Sequence, residues 1–370
     1  MRVLHVTAGN LFGGIERMLV TLAASLDDHH AHAFAVSFDG RLARELRACG
    51  HAPHVIGDAR FSRPLTIWRA RRNLRRVIGA FAPDAVIAHA PWSCALATPV
   101  ARRMRVPVWM WVHDLPHPEQ FLERRVASRP PHRFICNSHF TAGATGAWLP
   151  AVPRDVIHPA VAPLPRVSDT DRRTLRVKEG ADDDSVVVFM AARLQQMKGH
   201  RVLIEAARTL RGKVMLWMAG GPQQPHEVRY LESLRQLAVE SLPAGRVRFL
   251  GERSDVPRLM HAADVYCQPN TEPDSFGIVF VEALAAGRPV VTTAIGGAVE
   301  IVGERYGILV PHASAEAVGA ALQTLIDDPS LRASLGQDGP ARAFALCDPA
   351  GRLREIDETV CHHRASPDPR

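Results

Sequence analysis

The sequence predicts an α/β protein of two doubly wound parallel-sheet domains facing a cleft between them. Three observations carry this prediction. At 370 residues the chain exceeds one ordinary hydrophobic core and is comfortable as two domains. Short apolar runs of strand length alternate with helix-period patterns in two successive series, as parallel sheets covered on both faces require. Between the series, Pro159, Pro163 and Pro165 interrupt helix and central strand alike, marking a linker.

The first series opens with an apolar strand over residues 3–7, a glycine-rich turn and a helix over 15–25. Further strands are expected at 33–37, 85–88, 108–112, 133–136 and 155–157. The second series places strands at 185–190, 214–218, 247–250, 265–268 and 289–292. Its helices are expected at 198–210, 227–240, 256–262 and 277–286. Residues 1–162 form the first domain and 166–345 the second, followed by a last helical stretch at 346–364 and a disordered tail at 365–370. In open parallel sheets ligands bind beyond the carboxyl ends of the strands, so informative residues should follow strands.

Composition narrows the function classes. Apolar residues make up 46% and charged residues 22%, ordinary for a globular protein. No apolar run reaches the roughly 18 residues a membrane-spanning helix needs. Gly9, Asn10, Gly13 and Gly14 cut short any signal-peptide pattern at the start. The six cysteines are scattered without a C-x-x-C pair, and the 18 histidines show no H-E-x-x-H spacing. A reducing cytoplasm and no structural metal are the expectations. Residues 1–165 hold 20 arginines and 11 acids, a balance of +9, whereas residues 166–370 hold 25 basic and 27 acidic residues, a balance of −2. A basic first domain suits an anionic partner, although 42 of the 45 basic residues being arginine is also a compositional bias. Nucleic acid is disfavoured, since no aromatic platform or known module accompanies the charge.

Four segments at strand ends carry chemistry. In the stretch from Glu272 to Ala283, Asp274 lies in a loop after a strand and Ser275, Phe276, Gly277 and Ile278 lead into a helix that carries Glu282. Backbone N–H groups at such a helix start favour an anion, and a carboxylate can accept hydrogen bonds from sugar hydroxyls. Arg193 and Lys198, in the segment from Ala191 to Gly199, place two cations beyond another strand, a pattern suited to a pyrophosphate. Gly13 and Gly14 follow the first strand and let backbone approach a ligand closely. They do not form the G-x-G-x-x-G dinucleotide fingerprint, which disfavours a nicotinamide enzyme. Gly296 and Gly297, followed by Glu300, repeat the theme. His113, followed by Asp114, ends the run at 108–112, and Asn137 with Ser138 ends another.

Taken together and in this order, these segments resemble the retaining family-4 glycosyltransferases of the GT-B fold, which pairs two Rossmann-like domains. The resemblance covers nearly the whole chain. It implies that Arg193 and Lys198 bind the donor diphosphate, that Glu282 binds the nucleotide ribose and that Asp274 contacts the transferred sugar. It implies that Gly13 and Gly14 approach the donor phosphates or the acceptor, that His113 lies near the reacting sugar, and that the turn at Gly251 meets the base. The first acid is Asp274 where the family usually has Glu, and Glu272 is the competing candidate for the sugar contact. The resemblance further implies catalysis with no metal or cofactor, retention of anomeric configuration, and a last helix that crosses back onto the first domain. The expected activity is transfer of a hexose from a nucleoside diphosphate sugar to a glycan or lipid-linked acceptor, as in polysaccharide or lipopolysaccharide biosynthesis. A nucleotide-sugar epimerase, a phosphorylase or a non-catalytic nucleotide-sugar-binding scaffold are the alternatives.

The stretch from Arg60 to Arg76 carries seven arginines, with Ile67, Ala70, Leu74, Val77, Ile78 and Phe81 on one helical face. Arg69, Arg72 and Arg76 fall on the other. A basic amphipathic helix suits an anionic surface, so the acceptor side is expected to include contact with the inner face of the cell membrane.

Overall fold

The structure is a computed structural model that describes residues 1–10 and 12–364; the tail at 365–370 lies outside the described residues. The chain divides into two compact units. One comprises Met1–Ala162 with the segment from Cys347 onward, and the other Pro163–Leu346. The division falls between two of the linker prolines.

The first unit holds seven strands: β1 (Arg2–Thr7), β2 (Ala31–Val36), β3 (His54–Val55), β4 (Ala85–His89), β5 (Val108–Val112), β6 (Arg133–Cys136) and β7 (Arg154–Val156). They form one sheet in the order β3-β2-β1-β4-β5-β6-β7, parallel throughout. Its central strands are buried on both faces, which is why they read as unbroken apolar runs. Successive side chains alternate between two cores. Leu4, Val6, Val86, Ala88, Met110 and Phe134 pack with the helices Pro64–Phe81 and Ala90–Arg103. Val3, Ala85, Ile87, Trp109, Trp111 and Ile135 pack on the other face with Met18, Leu19 and Leu22 from the helix Gly14–Ala24. Leu353, Ile356 and Val360 of the last helix, Pro349–Arg364, complete this second core.

The second unit holds β8 (Val186–Ala191), β9 (Val214–Ala219), β10 (Val247–Gly251), β11 (Val265–Gln268), β12 (Val290–Thr293) and β13 (Gly307–Val310). Their order is β10-β9-β8-β11-β12-β13, again parallel. In each unit strand order reverses beside the first strand, between β1 and β4 and between β8 and β11. The expected pair of doubly wound sheets is met.

Two strands escape the sequence pattern, and both are sheet edges: β3 is two exposed residues long, and β13 is four residues long with Ile308 and Leu309 only half-buried. The helix expected over 198–210 is divided. A single 3₁₀ turn spans Gln196–Lys198, Gly199 takes φ +81°, and the α-helix His200–Ala206 follows. A left-handed residue ends one helical path and starts another, and glycine supplies it without steric cost. Among the described residues no helix is long and apolar enough to cross a membrane.

Candidate functional site

The loops after β8 and β11 flank the point where strand order reverses in the second unit, the position at which doubly wound sheets hold ligands. Arg193 lies exposed in the loop after β8, and Lys198 closes that loop. Asp274 lies in the loop after β11. The Lys198 ammonium donates to Asp274 Oδ2 at 2.5 Å, and both side chains are largely screened from solvent. The loops are also joined through backbone, with the Thr271 N–H donating to the Met197 carbonyl at 2.8 Å. Glu272 is exposed, so the acid that meets the cation is Asp274.

Close backbone approaches hold this geometry. A Cβ on Gly199 would stand 1.9 Å from the Pro269 carbonyl oxygen, and one on Gly297 would stand 2.6 Å from Phe276 Cα. The Gly297 N–H donates to the Asp274 carbonyl at 2.9 Å. Gly296 and Gly297 thus brace the Asp274–Phe276 loop against the end of β12. Ser275 and Phe276 are buried, and Gly277, at φ +99°, caps the helix Ile278–Ala285. Glu282 is buried on that helix.

Beneath the loops lies a polar file that sequence reasoning missed. The Tyr266 hydroxyl donates to Gln268 Oε1 at 2.8 Å, and the Gln268 amide donates to Asn270 Oδ1 at 2.9 Å. Thr292 and Thr293 donate to the carbonyls of Gln268 and Asn270, both at 2.8 Å. Their signal was there: polar residues closing two otherwise apolar strands. Gly251 ends β10, two strands away from β8, with φ +66°. The nearby Arg253 makes two 2.7 Å bonds to Asp255 and one of 2.8 Å to Glu179, so that turn is braced by its own acids.

In the first unit Gly13 and Gly14 are exposed at the start of the helix Gly14–Ala24, where the Glu16 carboxylate accepts the Gly13 N–H at 2.9 Å. His113 follows β5 and joins His89 at 2.9 Å. Burial pushes its pKa down to about 3, so the imidazole is neutral. Asn137, buried, donates to the His113 carbonyl at 3.3 Å.

On the helix Pro64–Phe81, Arg69, Arg72 and Arg76 are exposed, whereas Arg71 turns inward and donates to the carbonyls of Ala95 and Leu96. Of these exposed three, only Arg72 lines a cavity of about 710 Å³, together with Arg71, Arg75, Arg103, Arg125 and Trp68. One group of potential metal ligands occurs among the described residues: His30, His32 and Asp357. No sequence spacing could show it, since Asp357 arrives on the last helix. Its imidazoles already bond the carboxylate, at 2.8 and 3.1 Å.

The chain matches two family models, Glycosyltransferase Family 4 over residues 12–163 and Glycosyl transferases group 1 over residues 171–342. It is 33% identical over 201 residues to a D-inositol 3-phosphate glycosyltransferase of Corynebacterium glutamicum, covering 52% of this chain and 46% of that protein. A second such protein, from Mycobacteroides abscessus, is 36% identical over 160 residues, covering 42% of this chain and 35% of it. The chain thus aligns with about half or less of these curated relatives' length. The crystal structure of HepE from Anabaena in complex with UDP and glucose superposes with a TM-score of 0.85 at 25% identity, covering 98% of this chain and 100% of that one. A glycosyltransferase from Rickettsia africae shares the fold at a TM-score of 0.85 and 19% identity, over 98% of each chain. With both units matched, each by its own model, and the GT-B architecture shared along the chain, the protein belongs to the family-4 glycosyltransferases.

Proposed function

We propose that this protein transfers a hexose from a nucleoside diphosphate sugar to a glycan or lipid-linked acceptor with retention of configuration. The observation that carries the proposal is the Lys198–Asp274 pair at the switch point of the second sheet, with Arg193 exposed in the same loop. In this proposal the two cations beyond β8 neutralise a diphosphate, and Asp274 and Glu282 accept sugar and ribose hydroxyls. The HepE complex with UDP and glucose makes these the donor moieties to test first.

In this reading the bond between the anomeric carbon and the β-phosphate oxygen breaks as the acceptor oxygen bonds to the same face. The acceptor proton passes to the departing phosphate oxygen. Lys198 and Arg193 stabilise the charge that develops there, so positive charge comes from side chains and the reaction uses no metal or cofactor. Neutral His113 hydrogen-bonds the reacting sugar or the acceptor hydroxyl. Incubation with UDP-glucose and phosphorylated or lipid-linked acceptors, read by NMR of the new glycosidic linkage, tests the proposal. An α-linked product from the α-linked donor is expected; a β-linked product contradicts retention, and no transfer with any nucleotide sugar contradicts the function.

The acceptor side is proposed to meet an anionic membrane surface. Leu65 and Trp68 stand 78% and 60% exposed on the arginine-rich helix, an apolar tip among cations. Co-sedimentation with anionic vesicles is expected, falling as salt rises, and weaker for Trp68→Ala with Arg72→Ala. Equal sedimentation with zwitterionic vesicles contradicts it.

A further inference from the structure

Three histidines on neighbouring strands of the first unit, and a fourth just beyond the next strand, stand in a register that brings them into one file. His32 of β2 pairs with Val3 of β1, two residues before His5. His5 pairs with Ile87 of β4, two residues before His89, and His89 pairs with Trp111 of β5, two residues before His113. Steps of two keep every side chain on one face of a sheet, so the file runs diagonally towards the carboxyl ends of the strands. Its links are His32 Nδ1 to His5 Nε2 at 3.0 Å, His5 Nδ1 to His89 Nε2 at 2.9 Å, and His89 Nδ1 to His113 Nε2 at 2.9 Å. At the far end His32 Nε2 meets Asp357 Oδ1 of the last helix at 3.1 Å. Ring stacking fixes the planes: His5 on Phe34 at 5.3 Å, and His89 and His113 each on Trp111 at 5.6 Å.

A neutral imidazole has one donor and one acceptor nitrogen. A carboxylate only accepts, so a neutral His32 donates from Nε2 and accepts at Nδ1. His5 then donates from Nε2, His89 does the same, and His113 donates from Nε2 to His89. One carboxylate therefore decides four tautomers. Burial drives the pKa values of His5, His89 and His113 down, which keeps these three rings neutral. Burial alone would raise the Asp357 pKa, but bonds from His32 and His30 hold it below the usual carboxylate range.

We infer that Asp357 is a positioning residue that, through His32, His5 and His89, fixes His113 with its proton on Nε2 and its acceptor lone pair on Nδ1. The consequence for transfer rests on the proposed place of His113 at the reacting sugar; the tautomer itself does not.

The test is ¹⁵N–¹H correlation of histidine-labelled protein at about pH 8, where an ordinary imidazole is neutral, with His113→Gln supplying the assignment. Wild-type His113 should show a protonated Nε2 and an unprotonated Nδ1. In Asp357→Asn the carboxamide can donate to His32, so the file can reverse and His113 should gain the Nδ1–H form. Turnover should fall in kcat with donor KM nearly constant, and Asp357→Glu should recover both the tautomer and most of the rate. Wild-type His113 protonated at Nδ1 overturns the inference, and so does an Asp357→Asn protein that keeps the Nε2–H form. If Asp357→Asn does not fold, the wild-type spectrum decides alone. If the tautomers behave as stated but His113→Ala transfers sugar at the wild-type rate, Asp357 still fixes the tautomer and the role given to His113 in transfer fails.

Discussion

Lys198→Ala is expected to lower kcat for sugar transfer by about a hundredfold to a thousandfold, the usual loss when one group stabilising transition-state charge is removed. Two effects act together. On the proposed reading the cation facing the departing phosphate is gone, and Asp274, now without the partner it holds at 2.5 Å, stands as an uncompensated anion beside the donor diphosphate. The second effect separates this site from a merely basic loop. Asp274→Asn in the Lys198→Ala background should recover part of the lost donor affinity, because removing the repulsion is favourable once its partner is absent. Strict additivity of the two substitutions would mean that they do not share a site. Rates with UDP-glucose, compared for the single and double variants, provide the check.

Acid should unfold the protein through its buried histidines, and the first unit more than the second. His5 and His89 have pKa values well below the ordinary 6.5, His113 is pushed to about 3, and His200 of the second unit to about 4, in every case chiefly by burial. Below pH 6.5 the unfolded chain binds protons at these positions while the folded chain does not, so stability falls as pH falls. Above that value these four groups cost nothing. Between pH 6.5 and pH 5 each contributes a loss of up to about 2 kcal/mol, from about 1.4 kcal/mol per pH unit per proton. Three such groups in one unit total about 6 kcal/mol, comparable with the whole stability of a domain, about 5–15 kcal/mol. Thermal melts followed at pH 7.5 and pH 5 should therefore show a large drop in Tm, with the melting of the first unit moving furthest. A Tm unchanged across that interval would mean that the file accepts protons while folded.

The central strands were legible in the sequence because both of their faces are buried, which forces unbroken apolar runs such as Val108–Val112. The edges β3 and β13 lack that constraint and left no comparable signal. The chemistry shows the same division. Arg193, Lys198 and Asp274 stand out in the sequence because each follows a strand, and Glu282 because it lies eight residues beyond Asp274, but the Lys198–Asp274 pairing is a property of the fold. The eight-residue offset to Glu282 favours Asp274 over Glu272 in the sequence, and the fold of the two loops sets Asp274 against Lys198. Arg71 reads as one of a surface series, yet two backbone carbonyls draw it inward. The histidine file was invisible for a stronger reason. Its members are single histidines separated by 27, 84 and 24 residues at the three links, and the carboxylate that orders them comes from the last helix. Parallel pairing across four strands creates that cluster, and no local pattern encodes it.

The central claim, that the loops after β8 and β11 hold a nucleoside diphosphate, is tested most directly by calorimetric titration of UDP into the wild type and Lys198→Ala. A charge-assisted hydrogen bond is worth about 1.5–3 kcal/mol, so the variant should bind UDP at least about tenfold more weakly while unfolding at the wild-type temperature in the absence of ligand. Equal affinity of the two proteins for UDP, or equal indifference to every nucleoside diphosphate, would contradict the assignment of this site.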